Sequence, residues 1–259
     1  MRAIPDDNLA YPVLITLKNG SQGSGFFLNA SKASFLVTAR HVLFQDKSDD
    51  LLDSEAKTLS YAKDPKDKGK NEFVLDLKAL KQSGEIKPHA DHDVAVIRMG
   101  TKDKSGQGTW NAPNGVSMTQ SAKSGVLGVA EGAIKRFSDV LTANQVFIFG
   151  YPSSLGLKEF PQIDYLRPLL RTGIVAGTND QTKTLIIDCP AYRGNSGGPV
   201  VEVEQEGSDQ KLWMIGVVSQ FVPAVEKWLE NGCAKTNVYN SGYTVAAPMD
   251  FVLELVDQF

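Results

Sequence analysis

Three polar residues in this sequence have the side-chain types that nucleophilic catalysis needs, and each lies beside an apolar run: His41, Asp93 and Ser196. Ser196 belongs to the segment Arg193–Pro199 (RGNSGGP), whose glycines let the backbone turn sharply and leave the serine exposed. A serine hydroxyl is a poor nucleophile until a base removes its proton, so hydrolysis through Ser196 requires a histidine and a third group to orient it.

The chain has three histidines, His41, His89 and His92, and all of them precede the serine. His41 follows a hydrophobic strand, a place suited to a base that projects into a cleft. No role is assigned to His89, and His92 is interpreted as an exposed loop residue beside the site. Asp93 opens the apolar run DVAVI, where a buried carboxylate is costly unless hydrogen-bonded, and a histidine Nδ1–H would satisfy it.

The order of these residues excludes one fold. Gly194–Gly198 (GNSGG) satisfies the GxSxG pattern of the α/β-hydrolases, but that fold places its histidine after the serine, and none follows here. Taken alone, Ser196 is compatible with a glycine-rich turn, His41 with a half-buried histidine and Asp93 with a cap or an ion pair. Their combination, in this order and with these flanks, favours an enzyme.

Four segments resemble the signature regions of the chymotrypsin/trypsin superfamily of serine proteases. They are TARHV at 38–42, DHDVAVI at 91–97, RGNSGGPV at 193–200 and GVVSQ at 216–220. The sequence is most similar to bacterial trypsin-like and HtrA-like peptidase domains, without a PDZ domain, and the resemblance spans residues 23–247. It implies an all-β fold of two antiparallel six-stranded β-barrels with the active-site cleft between them.

The resemblance also implies a role for each matched residue. His41 is the general base, Asp93 orients it, and Ser196 is the nucleophile. The backbone N–H groups of Gly194 and Ser196 form the oxyanion hole. Ser219 buttresses the aspartate and begins the strand along which the substrate backbone pairs by β-strand addition.

Departures from the family pattern bear on activation and specificity. Asn195 replaces the aspartate that captures a newly cut N-terminus, so activation by N-terminal cleavage is not expected. The expected substrate-binding residues are Pro190, Tyr192, Ser219 and Phe221. Pro190 stands where proteases that cut after Arg or Lys have an acidic residue, and Phe221 replaces a glycine of the pocket wall. We therefore expect a small or medium apolar residue before the scissile bond.

Short apolar segments between glycines and prolines predict a mainly β chain. The predicted strands are Val13–Leu17, Gly25–Leu28, Ser34–Thr38, Phe73–Leu77, Val94–Met99, Val146–Gly150, Leu169–Ala176, Thr184–Cys189, Val200–Val203, Leu212–Ser219 and Tyr243–Ala247. Helical spacing of apolar residues predicts helices at Ala224–Asn231 and Met249–Phe259, the second started by Pro248.

Two stretches appear as connections in the sequence. The charged run Gln45–Glu72 is interpreted as an exposed loop and, because it follows His41, as a candidate gate over the site. The Gly/Ser-rich run Gly100–Gly125 is interpreted as the link between the barrels. The predicted domains are 1–110, a barrel carrying His41 and Asp93, and 111–259, a barrel carrying Ser196 and the terminal helix.

The bulk composition of the 259 residues limits the classes of partner and compartment. A net charge of −3 does not predict binding to nucleic acid or to an anionic membrane, and no apolar run reaches the roughly 18–20 residues of a membrane span. Two cysteines, Cys189 and Cys233, and an N-terminus without a signal-peptide pattern predict a cytoplasmic protein. No residue spacing suggests a metal site or a cofactor.

The sequence thus predicts a serine endopeptidase that acts on protein or peptide substrates through an acyl-enzyme. An intracellular protease without a propeptide needs restricted specificity, or a loop or regulatory partner protein that holds it inactive. The alternative is a latent or pseudoprotease module that binds peptides and awaits a partner. A third hypothesis is hydrolysis of esters, whose leaving group is better.

Overall fold

The computed structural model describes residues 4–102, 110–153, 160–207, 209–230 and 233–259, and strands dominate it. The N-terminal strands are β1 (Val13–Leu17), β2 (Gln22–Asn29), β3 (Ala33–Thr38), β4 (Glu55–Tyr61), β5 (Lys70–Asp76), β6 (Ile86–Pro88), β7 (Ala95–Lys102), β8 (Trp110–Asn111), β9 (Val116–Gln120) and β10 (Val129–Ala130). The C-terminal strands are β11 (Gln145–Gly150), β12 (Leu169–Asn179), β13 (Thr184–Asp188), β14 (Pro199–Glu206), β15 (Asp209–Glu230) and β16 (Cys233–Pro248). The α-helices are α1 (Arg40–Leu43), α2 (Leu77–Gln82) and α3 (Met249–Val256), and short 3₁₀ helices lie at Asp6–Ala10, Glu131–Ala133 and Phe137–Asp139.

The strands form two sheets that follow one another along the chain. The second sheet is a closed barrel of six strands in the order β11-β12-β13-β16-β15-β14. The first has ten strands with the main order β6-β7-β3-β2-β1-β4-β5-β9, while β8 pairs with β7 and β10 pairs with β2. All pairs are antiparallel except β10 with β2, which is parallel. The predicted mainly β, double-barrel fold with a C-terminal helix is confirmed, and the first sheet is larger than expected.

Alternation of side chains along the strands creates separate cores. In β3, Leu36 packs in a core inside the first sheet, whereas Phe35 and Val37 point the other way into a second core. That second core also contains Phe149 and Val217 of the barrel. Because successive strand residues face opposite sides, β3 reads as a continuous apolar run and joins the first sheet to the barrel.

Helix α3 closes the shared core from outside. It begins directly after Pro248, whose extended backbone (φ −62°, ψ 157°) precedes the first turn. Met249, Val252 and Leu255 lie at helical spacing and are buried in the core that the two sheets share. The predicted terminal helix is confirmed, although it ends at Val256.

The predicted helix at Ala224–Asn231 is wrong. Residues up to Glu230 continue β15, which pairs antiparallel with β16, for example Val225 with Val238 and Trp228 with Lys235. Val225, Trp228 and Leu229 all remain exposed on this two-stranded ribbon. Apolar residues on both faces of a ribbon imitate helical spacing, and pairing with β16 makes this segment a strand.

The two predicted connections also contain strands. Strands β4 and β5 occupy much of Gln45–Glu72, so only 45–54 and 62–69 lie outside strands there, and the exposed-loop interpretation is wrong for the rest. Within 100–125, residues 103–109 lie outside the described residues, and β9 pairs with β5 of the first sheet. The domain division after residue 110 stays a prediction; strand pairing places β10 with the first sheet and starts the barrel at Gln145.

Candidate active site

His41 lies in the short helix α1, immediately after β3. Its neighbours Val42 and Leu43 are buried against the core of the first sheet, whereas 48% of the His41 side chain is exposed. Since the apolar neighbours anchor this turn, the imidazole is the group left at the surface. Its Nδ1 lies 2.8 Å from Oδ2 of Asp93 and 3.0 Å from Oδ1.

Asp93 lies in the turn 89–94 that joins β6 to β7, and it accepts hydrogen bonds from two elements. The His41 backbone N–H donates to Oδ1 (3.0 Å), and the Ser219 hydroxyl donates to Oδ2 (2.5 Å). Burial by itself raises the pKa of Asp93, but the hydrogen bonds from His41 and Ser219 outweigh it, so the pKa lies below its ordinary value. Ionised Asp93 keeps the proton of His41 on Nδ1 and leaves Nε2 as the basic atom.

The serine loop, residues 192–198, is fixed against strand β2 of the first sheet. The Ser24 N–H donates to the carbonyl oxygen of Ser196 (2.8 Å), and the Ser24 hydroxyl donates to that of Gly194 (2.6 Å). Gly197 has a φ of +86°, and a Cβ there would lie 2.1 Å from the Ser24 carbonyl oxygen. Only glycine allows this close approach of the two sheets.

The hydroxyl of Ser196 donates to the carbonyl oxygen of Ser219 (3.2 Å). A hydroxyl has one proton, so a bond to Nε2 of His41 would replace the bond to Ser219. His41, Asp93 and Ser196 line one cleft of about 980 Å³. The structure therefore brings the three predicted residues together, with the His41–Asp93 pair formed and the Ser196 hydroxyl bonded to Ser219.

The proposed oxyanion donors, Gly194 and Ser196, lie at the bend of the serine loop. The N–H of Ser153 donates to the Arg193 carbonyl oxygen (2.7 Å). Because C=O and N–H of a trans peptide point in opposite directions, this bond turns the Gly194 N–H away from Ser153. Gly194 has a φ of +92°, and a Cβ there would lie 2.3 Å from the carbonyl oxygen of Tyr151, so glycine is required.

Of the predicted substrate-binding residues, Tyr192, Ser219 and Phe221 line the cleft. Pro190 is half-buried and lies outside that lining, and its contact with substrate stays a prediction. Beyond Val218, β15 pairs with β16 and no longer with β14. Residues 219–221 thus present one strand edge toward the cleft, as pairing with an extended peptide requires.

Sequence reasoning missed two residues that hold the site. Ser24, fully buried, bridges the first sheet to the serine loop; the signal was its place in a Gly-Ser-Gly run before an apolar strand. His89 accepts hydrogen bonds within the turn that carries Asp93. The sequence signal for His89 is a side chain that can accept hydrogen bonds from the backbone N–H groups two and three residues later, as in an Asx turn. His92, expected as an exposed loop residue, is half-buried and lines the cleft.

Within the described residues, no group of three or more His, Cys, Asp or Glu residues is arranged to hold a metal ion. None of the helices in the same part of the chain is long and apolar enough to cross a bilayer.

A family model described as "Trypsin-like peptidase domain" matches residues 23–207, which include all three candidate catalytic residues. No curated protein sequence matches the chain.

Two solved structures of HtrA-type proteases share the fold. The HtrA-type protease AlgW with tripeptide has a TM-score of 0.51 and 16% identity, over 96% of this chain and 60% of that one. A variant of AlgW with tripeptide has a TM-score of 0.52 and 16% identity, over 100% of this chain and 63% of that one. The chain thus spans less than two thirds of the length of these proteases.

Proposed function

The chain belongs to the trypsin-like peptidase domain family, and we propose on this premise that it is a serine endopeptidase with His41, Asp93 and Ser196 as its catalytic triad. One observation carries the assignment of residues: a continuous chain of hydrogen bonds from Ser219 through Asp93 to His41 lies in the cleft that also contains Ser196. A surface ion pair needs neither the hydroxyl bond from Ser219 nor a half-buried serine in the same cleft.

In the proposed reaction, Ser196 rotates toward His41 and attacks the peptide carbonyl carbon. Nε2 of His41 takes the hydroxyl proton, and Asp93 stabilises the imidazolium. The N–H groups of Gly194 and Ser196 bind the oxyanion, each worth about 10²–10³ in rate. His41 returns the proton to the leaving amine, and water then hydrolyses the acyl-enzyme through the same base.

The second candidate function is a latent, peptide-binding module. It is favoured by one observation, that the Ser196 hydroxyl donates to the carbonyl oxygen of Ser219 (3.2 Å). In this state, the open edge of residues 219–221 could hold a peptide without cleaving it. A peptide digest separates the two functions, and an ester substrate tests the third, ester hydrolysis.

We also propose that residues 46–49 gate access to the cleft and that the peptidase has restricted specificity. These residues line the cleft, and Arg40, next to His41, donates to the Ser48 carbonyl oxygen (2.6 Å) and to Asp49 (3.1 Å). We expect replacement of 46–49 by a short Gly-Ser linker to raise the rate of reaction with a large peptide. An unchanged rate would exclude the gate.

A cytoplasmic setting is proposed on the state of the cysteines. Cys189 is buried and Cys233 exposed, and both are free thiols. An exposed free thiol is easier to maintain in a reducing compartment. Localisation of the tagged full-length protein in its native cell tests this.

The triad is tested with a fluorophosphonate probe, which forms a covalent bond to an activated serine. We expect labelling of Ser196, located by peptide mass, and its loss in Ser196→Ala and in His41→Ala. Ser138→Ala is the matched control, because the Ser138 hydroxyl donates to its exposed neighbour Asp139 (3.2 Å) and the residue lies outside the lining of the cleft. Absence of label in folded wild-type protein would favour the latent module.

A further inference from the structure

The turn that carries Asp93 is built around the side chain of His89. The backbone N–H groups of Asp91 and His92 both donate to Nδ1 of His89, each at 3.1 Å. The His89 N–H also donates to the carbonyl oxygen of Val94 (2.8 Å), which closes the turn. The backbone on both sides of Asp93 is therefore tied to one residue that lies outside the catalytic triad.

These contacts define the protonation state of His89. A backbone N–H can only donate, so Nδ1 must be unprotonated and the ring proton must lie on Nε2. Nε2 lies 3.1 Å from Oε2 of Glu254, and the N–H donates to that carboxylate. Only 12% of the His89 side chain is exposed, whereas 58% of the Glu254 side chain is exposed.

The same turn is packed on helix α3. The ring of His92 stacks on Phe251 with centroids 3.4 Å apart and planes at 12°, and the ring of His89 lies 5.1 Å from Phe251. Phe251 and Glu254 are three residues apart on α3 and so face the turn together. The terminal helix and the turn thus form one packed unit that ends at the catalytic aspartate.

We propose that neutral His89 is a positioning residue of the active site, which fixes the turn 89–94 and through it the direction of Asp93 toward His41. Helix α3 is coupled to the site by the same side chain, through Glu254. The inference rests on the proposed function only in that Asp93 orients the base.

Protonation of His89 at Nδ1 would remove the acceptor of two amide N–H groups and release the turn. The titratable groups that face the His89 ring are Asp91 in the turn, Glu254 on α3 and His92 beside it. Burial lowers the pKa of His92. Lys87 is bound to the carbonyl oxygen of Gln258 (3.0 Å).

Three substitutions separate the two bonds accepted at Nδ1 of His89 from the one donated by Nε2. Asn places an oxygen acceptor where Nδ1 lies and cannot be protonated, so His89→Asn keeps the turn but loses the bond to Glu254. His89→Gln can reach Glu254 but has no acceptor in the δ position, and His89→Ala loses all three bonds. Circular dichroism first establishes that each variant is folded.

Two readouts are measured for each variant. The first is the rate constant of labelling by the fluorophosphonate as a function of pH. The second is the downfield NMR resonance of the Nδ1–H that His41 shares with Asp93, which requires no catalysis.

We expect His89→Ala and His89→Gln to label about 10- to 100-fold more slowly than wild type and to lose the resonance through exchange, while His89→Asn retains both. Because only the histidine ring can take a proton at the δ position, lowering the pH releases the turn of wild type alone, and the ratio of its rate to that of His89→Asn falls.

The proposal is overturned if His89→Ala keeps the wild-type rate and resonance, if His89→Gln behaves as wild type while His89→Asn does not, or if that ratio is constant with pH. A wild-type protein that does not label but shows the predicted pattern of resonances would contradict the peptidase function and leave the positioning role supported. If His89→Ala does not fold, the comparison of His89→Asn with His89→Gln still tests whether the acceptor at the δ position is needed.

Discussion

Removal of the Ser219 hydroxyl tests how Asp93 is kept ionised. This hydroxyl donates to Oδ2 of Asp93 at 2.5 Å, and 28% of the Asp93 side chain is exposed. A hydrogen bond to a charged group contributes about 1.5–3 kcal/mol. Its loss in Ser219→Ala should therefore raise the pKa of Asp93 toward its ordinary value.

The sign of the pH dependence follows from the direction of the shift. The folded-state pKa of Asp93 is depressed, so the carboxylate contributes stability above its unfolded pKa of about 3.9 and loses it as the pH falls through the folded pKa. Wild type should therefore be more stable than Ser219→Ala by about 1.5–3 kcal/mol at pH 7. The difference should shrink as the pH falls through the folded-state pKa of Asp93 in Ser219→Ala and then through the lower one in wild type, below which Asp93 is protonated in both.

The assay is urea unfolding of both proteins across this range of pH. Ser138→Ala serves as the control, because its hydroxyl also bonds to an aspartate, Asp139 (3.2 Å), but in an exposed pair. Surface substitutions of this kind stay within about 0.5 kcal/mol. If Ser219→Ala and Ser138→Ala lose equal stability at pH 7, or if the loss for Ser219→Ala does not change with pH, the account of Asp93 given above is wrong.

Three further predictions concern the fold and the pocket. Gly197→Ala should destabilise the protein by about 2–5 kcal/mol in urea unfolding, since its φ is +86° and the new Cβ would meet a backbone oxygen of β2 at 2.1 Å. Gly177→Ala, with no atom within 4 Å of the new Cβ, should change stability by less than about 1 kcal/mol, and equal effects would contradict the argument. Lys135→Met should cost about 3–5 kcal/mol, because it removes the cation 3.1 Å from the fully buried Glu202. Adding Glu202→Gln should recover part of that loss, and a double variant as unstable as the single one would exclude this cause. Phe221→Gly should shift cleavage of a peptide library about 10-fold toward larger apolar residues before the scissile bond, and an unchanged profile would remove Phe221 from the pocket wall.

Local sequence patterns predicted much of the fold and the candidate site. The strand predicted at Val13–Leu17 is β1 as observed, and that at Ser34–Thr38 lies within β3. The alternation of apolar residues that defines a strand is contained in a few consecutive residues, so it is visible without the partner strand. The order of His41, Asp93 and Ser196, each beside such a run, was likewise readable.

Other elements were not predicted because the contacts that determine them involve residues distant in the sequence. In β4, Thr58 and Ser60 are buried to 2% exposure, so the inner face of this strand is partly polar and its alternation was hidden in a charged run. In β15, the pairing of Val225 with Val238 decided against the helix that spacing alone predicted.

The sequence by itself determined the types of the catalytic candidates, their order along the chain and the strands beside them, because those properties depend on side-chain chemistry and on neighbours in the chain. Only the tertiary structure decided that the Ser196 hydroxyl is bound to Ser219 and that His89 joins the turn of Asp93 to Glu254 on the terminal helix. Both contacts join distant segments, 23 and 165 residues apart. A hydrogen bond between such segments exists only once packing has fixed both of them to within a few tenths of an ångström.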